Sequence, residues 1–126
     1  RTAIDRPVAQ RLPPSCAATS RPVAVGKGTV GTLQPRKPGD ARSFRSTPQF
    51  DALTADLALA ALAEMKLGQG TAADLLAISL SATDYIGHSY GTEGAEMCAN
   101  MIALDATLGR IFTALDRTRI PYAVVV

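Results

Sequence analysis

Two side chains that could bind a metal ion lie four residues apart in the second half of the chain. His88 is the only histidine among the 126 residues, and Asp84 precedes it by four positions. One helical turn would bring both side chains to the same face, and a tight loop could also make them converge. Since an imidazole nitrogen and a carboxylate oxygen both bind zinc, at about 2.0–2.2 Å, the pair is a candidate for part of a zinc site.

The spacing of this pair also leaves a second interpretation open. Asp84 could cap a short helix, and His88 could donate a hydrogen bond to it without any metal ion. Two ligands do not complete a four-coordinate site, so a zinc ion would require further ligands from elsewhere.

The residues around the pair predict how it is positioned. The apolar run over residues 74–80, bounded by turn residues, is typical of a strand buried on both faces of a parallel sheet. Residues 81–91 are small, polar and interrupted by glycine, which indicates a loop. Because binding sites in open parallel sheets form beyond the carboxyl ends of the strands, this loop is the expected place for a functional site.

Two helices are predicted on either side of this strand. The first begins after Thr47, with Pro48 at the first helical position, and stops before Gly68. The second is capped by Thr92 and ends near residues 116–118. Its apolar side chains recur every three or four positions and are expected in the core: Met97, Met101, Leu104, Leu108, Ile111 and Leu115.

The second helix leads into the apolar run 123–126, which is typical of another strand. A right-handed crossover through a helix near 93–116 would make residues 73–80 and 121–126 neighbouring parallel strands. The predicted fold class is therefore α/β.

The first third of the chain has a different composition from the rest. Residues 1–46 hold nine Lys or Arg against two Asp or Glu, whereas residues 47–126 hold four against nine. Seven of the eight prolines lie at or before Pro48. We predict a basic, Pro-rich irregular segment over 1–46, with short strands at 23–25 and 29–30 around a glycine turn, and a partial α/β domain over 47–126.

The charge and the cysteines limit the possible partners and compartments. The net charge is only +2, and the basic residues of the first third are scattered, so neither a nucleic-acid nor a membrane partner is expected. The sequence contains no run long enough to span a membrane. Cys98 is expected to be buried in the second helix, and its pairing with Cys16 is left open.

The stretch 74–91 resembles a motif of the alkaline phosphatase superfamily. It is similar to the bacterial alkaline phosphatases of the type I phosphodiesterase/nucleotide pyrophosphatase-like group, in which an apolar strand and a small polar segment precede Asp-x-x-Gly-His-x-x-Gly. That pattern is present here as Asp84, Gly87, His88 and Gly91. The resemblance covers roughly residues 43–126 and ends on a strand that leads, in the family, to a Thr-Ala-Asp-His-Gly segment.

The resemblance implies an α/β/α sandwich with two zinc ions, about 4 Å apart, that clamp a phosphoryl group. It places Asp84 and His88 on one of these ions as metal ligands. The family's third ligand of that ion is a distant downstream His, and the other ion uses an N-terminal Asp, the nucleophilic Thr and an Asp-His pair. None of these lies in this chain, so no catalytic residue is expected within it.

Other candidates are better explained without a site role. Thr83 lacks the context of the family's nucleophile and is expected to make a local hydrogen bond. Tyr85 and Tyr90 are expected to pack beside the metal pair. The remaining polar candidates are expected to be solvated or structural: Lys27, Arg36, Asp105 and Asp116.

The expected function belongs to a full-length parent, of which this chain would be an internal fragment. It is zinc-dependent hydrolysis of phosphate monoesters, with a small-molecule phosphate ester as substrate. Two alternatives stay open: a phosphodiesterase or nucleotide pyrophosphatase of the same superfamily, and a non-catalytic truncated remnant. The resemblance implies a periplasmic or secreted location. The remainder of the parent is needed to complete the site, so the isolated chain is expected to be inactive.

Overall fold

The computed structural model describes residues 11–33 and 38–126, in which helices predominate. A 3-10 helix over Pro14–Thr19 contacts the last and longest of four α-helices, which in turn packs against the second and third. In chain order the α-helices are α1 (Ala41–Arg45), α2 (Pro48–Glu64), α3 (Ala82–Tyr90) and α4 (Ala95–Thr118). The small core therefore lies where α4 meets α2 and α3.

The described part of the basic segment, which was expected to be largely irregular, contains a short β-hairpin besides the 3-10 helix and α1. Strand β1 (Val23–Val25) pairs antiparallel with β2 (Gly28–Val30), with Val23 opposite Val30. Gly26 turns the chain between the strands at a φ of 58°, a left-handed conformation that glycine adopts without steric cost. The two strands expected here are thus confirmed. Residues 1–10 and 34–37 of the predicted segment, Arg36 among them, lie outside the described residues.

Two tertiary contacts fix this region to the start of α4. Cys16, which is fully buried in the 3-10 helix, forms a disulfide bond with Cys98 in α4. Two residues before Cys98, Oε1 of Glu96 accepts hydrogen bonds from the backbone amides of Gly31 at 2.9 Å and Leu33 at 3.2 Å. The pairing that the sequence left open is therefore formed, and the hairpin region is attached to the helical part at two points.

Helix α2 begins and ends as its sequence predicts. Thr47 is the N-cap residue and Pro48 the first helical residue, although the buried Thr47 hydroxyl donates to the Phe44 carbonyl, at 2.7 Å, rather than to the helix. The helix ends at Glu64, and Gly68 has a left-handed φ of 75°. A Cβ at that glycine would lie 2.9 Å from the Ile120 side chain, so the turn needs glycine both for its backbone and for its space.

Helix α4 begins later than predicted, since Gly94 and not Thr92 is its N-cap residue. A Cβ on Gly94 would lie 3.0 Å from the Cα of Gly31, so the helix starts where two glycines approach closely. Glu93 lies outside the helix, where its carboxylate is 3.7 Å from the guanidinium of Arg21. The long-range contact with the hairpin region, which local sequence does not reveal, decides this boundary. The predicted end near residues 116–118 is confirmed.

The apolar stripe of α4 is only partly in the core. Ile111 is buried, but Met101 and Leu108 are 41% and 36% exposed. The face turned towards α2 and α3 carries Asn100 and Thr107 instead, both buried. The expectation that the whole stripe is core was wrong. The face of α4 that packs against α2 and α3 lies one residue before the most apolar face of the helix.

The two apolar runs expected to be strands are not strands in this structure. Residues 73–80 and 121–126 are neither helical nor paired in a sheet, and the one sheet within residues 11–33 and 38–126 is the β1–β2 hairpin. Leu75 and Val125 are 91% and 95% exposed. A strand requires a hydrogen-bonding neighbour, and the described residues supply none for these runs.

Candidate functional site

Residues 82–90, which were expected to form a loop, form helix α3. The residues of this segment are mostly small or polar, but their burial follows a helical pattern. Ala82 and Ile86, which are one turn apart, are 0% and 1% exposed. The helix ends where Gly91 adopts a φ of 84° and its amide bonds to the Gly87 carbonyl at 2.9 Å. The loop prediction was therefore wrong, and the candidate residues lie on a helix.

Asp84 and His88 lie on the solvent face of α3, opposite Ala82 and Ile86. Nε2 of His88 is 3.4 Å from Oδ1 of Asp84, in the i, i+4 arrangement of neighbouring side chains on a helix. Their side chains are 70% exposed for Asp84 and 82% for His88. The structure thus brings together the two residues singled out by the sequence, with their donor atoms directed away from the core.

A shallow groove of about 500 Å³ lies beside His88, between the hairpin and the connection from α3 to α4. Its walls combine apolar hairpin side chains with polar groups and backbone from residues 87–94; among them are Val23, Val25, Val30, Arg21, His88 and Tyr90. A second groove, of about 610 Å³, lies between α2 and the end of α4 and includes neither Asp84 nor His88. The first groove is therefore the one that a molecule held at His88 could enter.

The N-terminus of α3 is held by a carboxylate from α2. Asp51 is 2% exposed, and its Oδ1 accepts a hydrogen bond from the backbone amide of Ala82 at 2.9 Å. Burial raises the pKa of the Asp51 carboxyl above its ordinary value, although hydrogen bonds from the amides of Ala82 and Ser81 act in the opposite direction. Sequence reasoning missed this residue, because an acidic side chain in the first turn of a helix is usually exposed.

Two further polar contacts hold α3 along its length. Nδ2 of Asn100, a buried residue of α4, donates to Oγ1 of Thr83 at 2.9 Å. At the other end of α3, the hydroxyls of Ser46 and Ser89 are 2.8 Å apart. Thr83 thus makes a hydrogen bond, but the expectation that this bond would be local was wrong, because its partner lies 17 residues away in sequence.

The tyrosines near the pair pack against neighbouring side chains. Tyr85 meets Phe50 edge to face, at 6.1 Å between ring centroids, and the guanidinium of Arg45 lies 4.8 Å from the centre of its ring. Tyr90 lines the groove beside His88, and burial, followed by the negative charge of Glu96, raises the pKa of its phenol.

The remaining polar candidates lie away from the pair. Asp105 and Asp116 are exposed on α4, and Oδ1 of Asp116 accepts a hydrogen bond from the Tyr122 hydroxyl at 2.7 Å. Lys27 is exposed in the hairpin turn. Within residues 11–33 and 38–126, no group of three or more His, Cys, Asp and Glu side chains is placed to hold a metal ion. Asp84 and His88 thus offer two donor atoms on this part of the chain.

Comparison with known proteins agrees with the resemblance found in the sequence. The family model for type I phosphodiesterase / nucleotide pyrophosphatase matches residues 10–126. The chain belongs to this family. The match includes the hairpin region and α3, so the first third of the chain, from residue 10 onwards, is also part of the family sequence.

Three similar proteins bear the name alkaline phosphatase. The chain is 47% identical to alkaline phosphatase PhoD of Zymomonas mobilis and 45% identical to alkaline phosphatase PhoK of a Sphingomonas species, over 90% of its own length in each case. It is 42% identical, over 58% of its length, to alkaline phosphatase PhoV of Synechococcus elongatus. The chain spans 20%, 21% and 13% of the lengths of these relatives, respectively.

In the part of the chain that the structure describes, each helix is too short or too polar to span a membrane.

Proposed function

We propose that the full-length protein is a zinc-dependent phosphatase that hydrolyses phosphate monoesters, and that Asp84 and His88 bind the same zinc ion. The observation that carries this proposal is the distance of 3.4 Å between Nε2 of His88 and Oδ1 of Asp84. Two ligand atoms at about 2.1 Å from one tetrahedral ion are separated by about 3.4 Å. The pair therefore fits a shared ion without rearrangement of the helix.

The exposure of the pair supports the same proposal. An Asp–His hydrogen bond that served only to stabilise α3 would contribute little at a surface this exposed. In contrast, donor atoms that point out of the helical core can meet ligands from another part of a larger protein. The family membership and the names of the relatives support phosphate ester hydrolysis as the reaction.

The chain's own residues would orient the ion and leave space for the substrate. Asp84 brings a negative charge and His88 a neutral donor atom, and helix α3 keeps them one turn apart. The chemistry that bound zinc supplies is stabilisation of negative charge on phosphoryl oxygens. The groove beside His88 would accept part of the substrate. The nucleophile and the remaining ligands would come from the rest of the protein.

An exported location belongs to the same proposal. The bond between Cys16 and Cys98 supports it, because disulfide bonds persist in oxidising compartments such as the periplasm and are rare in the cytosol.

The test uses the full-length protein with His88→Ala and Asp84→Ala, and with Asp105→Ala as a control that removes an exposed carboxylate from α4. Zinc per protein is measured after dialysis, and turnover is measured with an aryl phosphate. We expect each ligand variant to lose about one zinc ion. Its activity should fall by at least about 10–100-fold, which is the typical effect of changing a residue that only supports a metal ligand. Full zinc content and near-normal turnover in His88→Ala would show that the pair is not a metal site.

A phosphodiesterase activity is the second candidate, and the description of the matching family favours it. The same preparations decide between the two reactions when an aryl phosphate monoester and a bis-aryl diester are compared under identical zinc concentrations. A higher kcat/KM for the diester would replace the monoesterase proposal, whereas the role proposed for Asp84 and His88 would be unaffected.

A further inference from the structure

Asp51 belongs to α2, but its side chain ends at the start of α3. It is 2% exposed, and its Oδ1 lies 2.9 Å from the backbone nitrogen of Ala82, which is 31 positions away in sequence. Its other carboxylate oxygen, Oδ2, is buried without a hydrogen-bond partner among the described residues. The residue therefore forms a tertiary contact between α2 and the helix that carries Asp84 and His88.

The Asp51 carboxylate supplies an acceptor that the sequence of α3 does not. The first amides of a helix have no partner within the helix, and Ser81, the N-cap residue of α3, makes no side-chain capping bond. A carboxylate at this end accepts from the free amides and is favoured by the helix dipole. Burying it is costly without such partners, and an apolar side chain would fill the space at lower cost. The presence of an aspartate at this buried position therefore indicates that the backbone of α3 has to be held in place.

The direction of the candidate ligands depends on how that backbone is held. Asp84 follows Ala82 by two residues, and α3 has nine residues in total. A helix this short is not stable by itself, so its tertiary contacts set its position and its rotation about its own axis. Asn100 bonds to the Thr83 side chain, and Ser46 contacts the Ser89 hydroxyl and, at 3.4 Å, the Tyr85 carbonyl. Among these contacts, Asp51 is the one that bonds to a backbone amide at the start of α3.

We propose that Asp51 is a positioning residue for metal binding: its contact with the Ala82 amide sets the rotation and register of α3, so that Asp84 and His88 converge on one ion. This inference rests on the proposed function of the pair. It adds a residue that touches neither metal nor substrate and that acts through the N-terminus of α3.

The test compares Asp51→Ala and Asp51→Leu, which remove the acceptor, with Asp51→Asn, which keeps an acceptor oxygen, in the full-length protein. Asp56→Asn, which changes an exposed carboxylate on the same helix, is the control. Zinc affinity is measured by titration of zinc-free protein, and turnover is followed as zinc is added. We expect zinc affinity to fall by about 10–100-fold in Asp51→Ala and Asp51→Leu, as for other residues that support metal ligands. Asp51→Asn should keep most of the affinity, because its side-chain oxygen can still accept from the Ala82 amide. Excess zinc should restore most of kcat, because both ligands are still present. Asp56→Asn should behave as the unsubstituted protein.

A purely structural role would give a different pattern. It would lower the melting temperature or the yield of folded protein, and the folded fraction would bind zinc with unchanged affinity. If Asp51→Ala does not fold, Asp51→Leu decides, since it fills a similar volume but has no acceptor oxygen. Zinc affinity in the folded Asp51→Ala or Asp51→Leu protein equal to that of Asp56→Asn overturns this proposal.

The two proposals fail separately. If His88→Ala keeps all of its zinc, the metal role of the pair fails, and the positioning role fails with it. If His88→Ala loses zinc whereas Asp51→Ala and Asp51→Leu bind it normally, the positioning role alone is wrong.

Discussion

Cys16 and Cys98 are 82 positions apart and are joined by a disulfide bond that attaches the 3-10 helix to α4. The bond and the hydrogen bonds of Glu96 both reach the first turn of this helix, at positions two residues apart. The hairpin region is thereby held beside the connection from α3 to α4, where its valines form one wall of the groove next to His88. A region without chemistry of its own can thus shape the surroundings of the candidate ligands.

Loss of this disulfide should lower stability without removing the candidate metal ligands. In the full-length protein, Cys16→Ser with Cys98→Ser is expected to reduce the free energy of unfolding by about 2–5 kcal/mol, because the reduced unfolded chain has more conformational freedom. Chemical denaturation measures this change, and zinc content serves as the internal control. Rapid labelling of both cysteines by a thiol reagent in the unreduced native protein would contradict the bond.

Glu96 should hold the segment after the hairpin more firmly than its surface neighbour Glu93. Glu96→Ala leaves the amides of Gly31 and Leu33 without their acceptor and is expected to cost about 1–3 kcal/mol. Hydrogen exchange of these two amides should accelerate in the full-length variant. Glu93→Ala is the matched control, since its side chain is 84% exposed, and it should leave both exchange rates unchanged. Equal rates in the two variants would show that the Glu96 contacts carry no stability.

The burial of Asp51 predicts a pH dependence of stability with a definite sign. Because burial raises the pKa of Asp51 above its ordinary value of 3.8, the folded protein binds a proton at this carboxyl more tightly than the unfolded chain does. The stability that this tighter proton binding contributes is fully present below pH 3.8. It is lost as the pH rises through the pKa of Asp51 in the folded protein. Relative to Asp51→Asn, which does not titrate, the unsubstituted protein should gain stability as the pH falls towards 3.8. Denaturation curves at a series of pH values measure this difference, and a constant difference, or one of opposite sign, would contradict it.

The sequence predicted the elements whose signals are local. Pro48, the glycine turn of the hairpin and the periodicity of α4 each act within a few residues, and α2, β1, β2 and the body of α4 were found accordingly. Helix α3 was not predicted, because it is stabilised by contacts with residues that are distant in sequence. Its buried face consists of Ala82 and Ile86, and its N-terminus is capped from another helix.

The candidate site could be predicted only in part, because some of its residues form a local motif whereas others meet through long-range contacts. Asp84 and His88 were recognised from a local motif, and the structure places their donor atoms 3.4 Å apart. Asp51 could not be recognised, because nothing in the sequence around it indicates that it meets Ala82. The disulfide also depends on a long-range approach, and two cysteines in a sequence do not reveal it.

The two apolar runs should become strands when their neighbours are present. In the full-length protein, residues 73–80 and 121–126 are expected to be adjacent parallel strands, since burial between helices would cover side chains such as Leu75 and Val125. Hydrogen exchange should show protected amides at 75–80 in the full-length protein and unprotected ones in the 126-residue chain. The amides of α2 provide the comparison within each sample. An antiparallel pairing, or a helix in either run, would refute the prediction.

The isolated 126-residue chain should not hydrolyse phosphate esters, even with added zinc. The described residues offer two donor atoms at the candidate site, whereas a catalytic zinc ion needs three protein ligands besides the position used by water or substrate. The resemblance to the alkaline phosphatase superfamily also places the nucleophilic Thr outside this chain. The purified chain is assayed with an aryl phosphate and zinc, with zinc alone as the blank and His88→Ala as the matched control. Turnover above the blank that disappears in His88→Ala would contradict this prediction, because the chain would then contain a working site of its own.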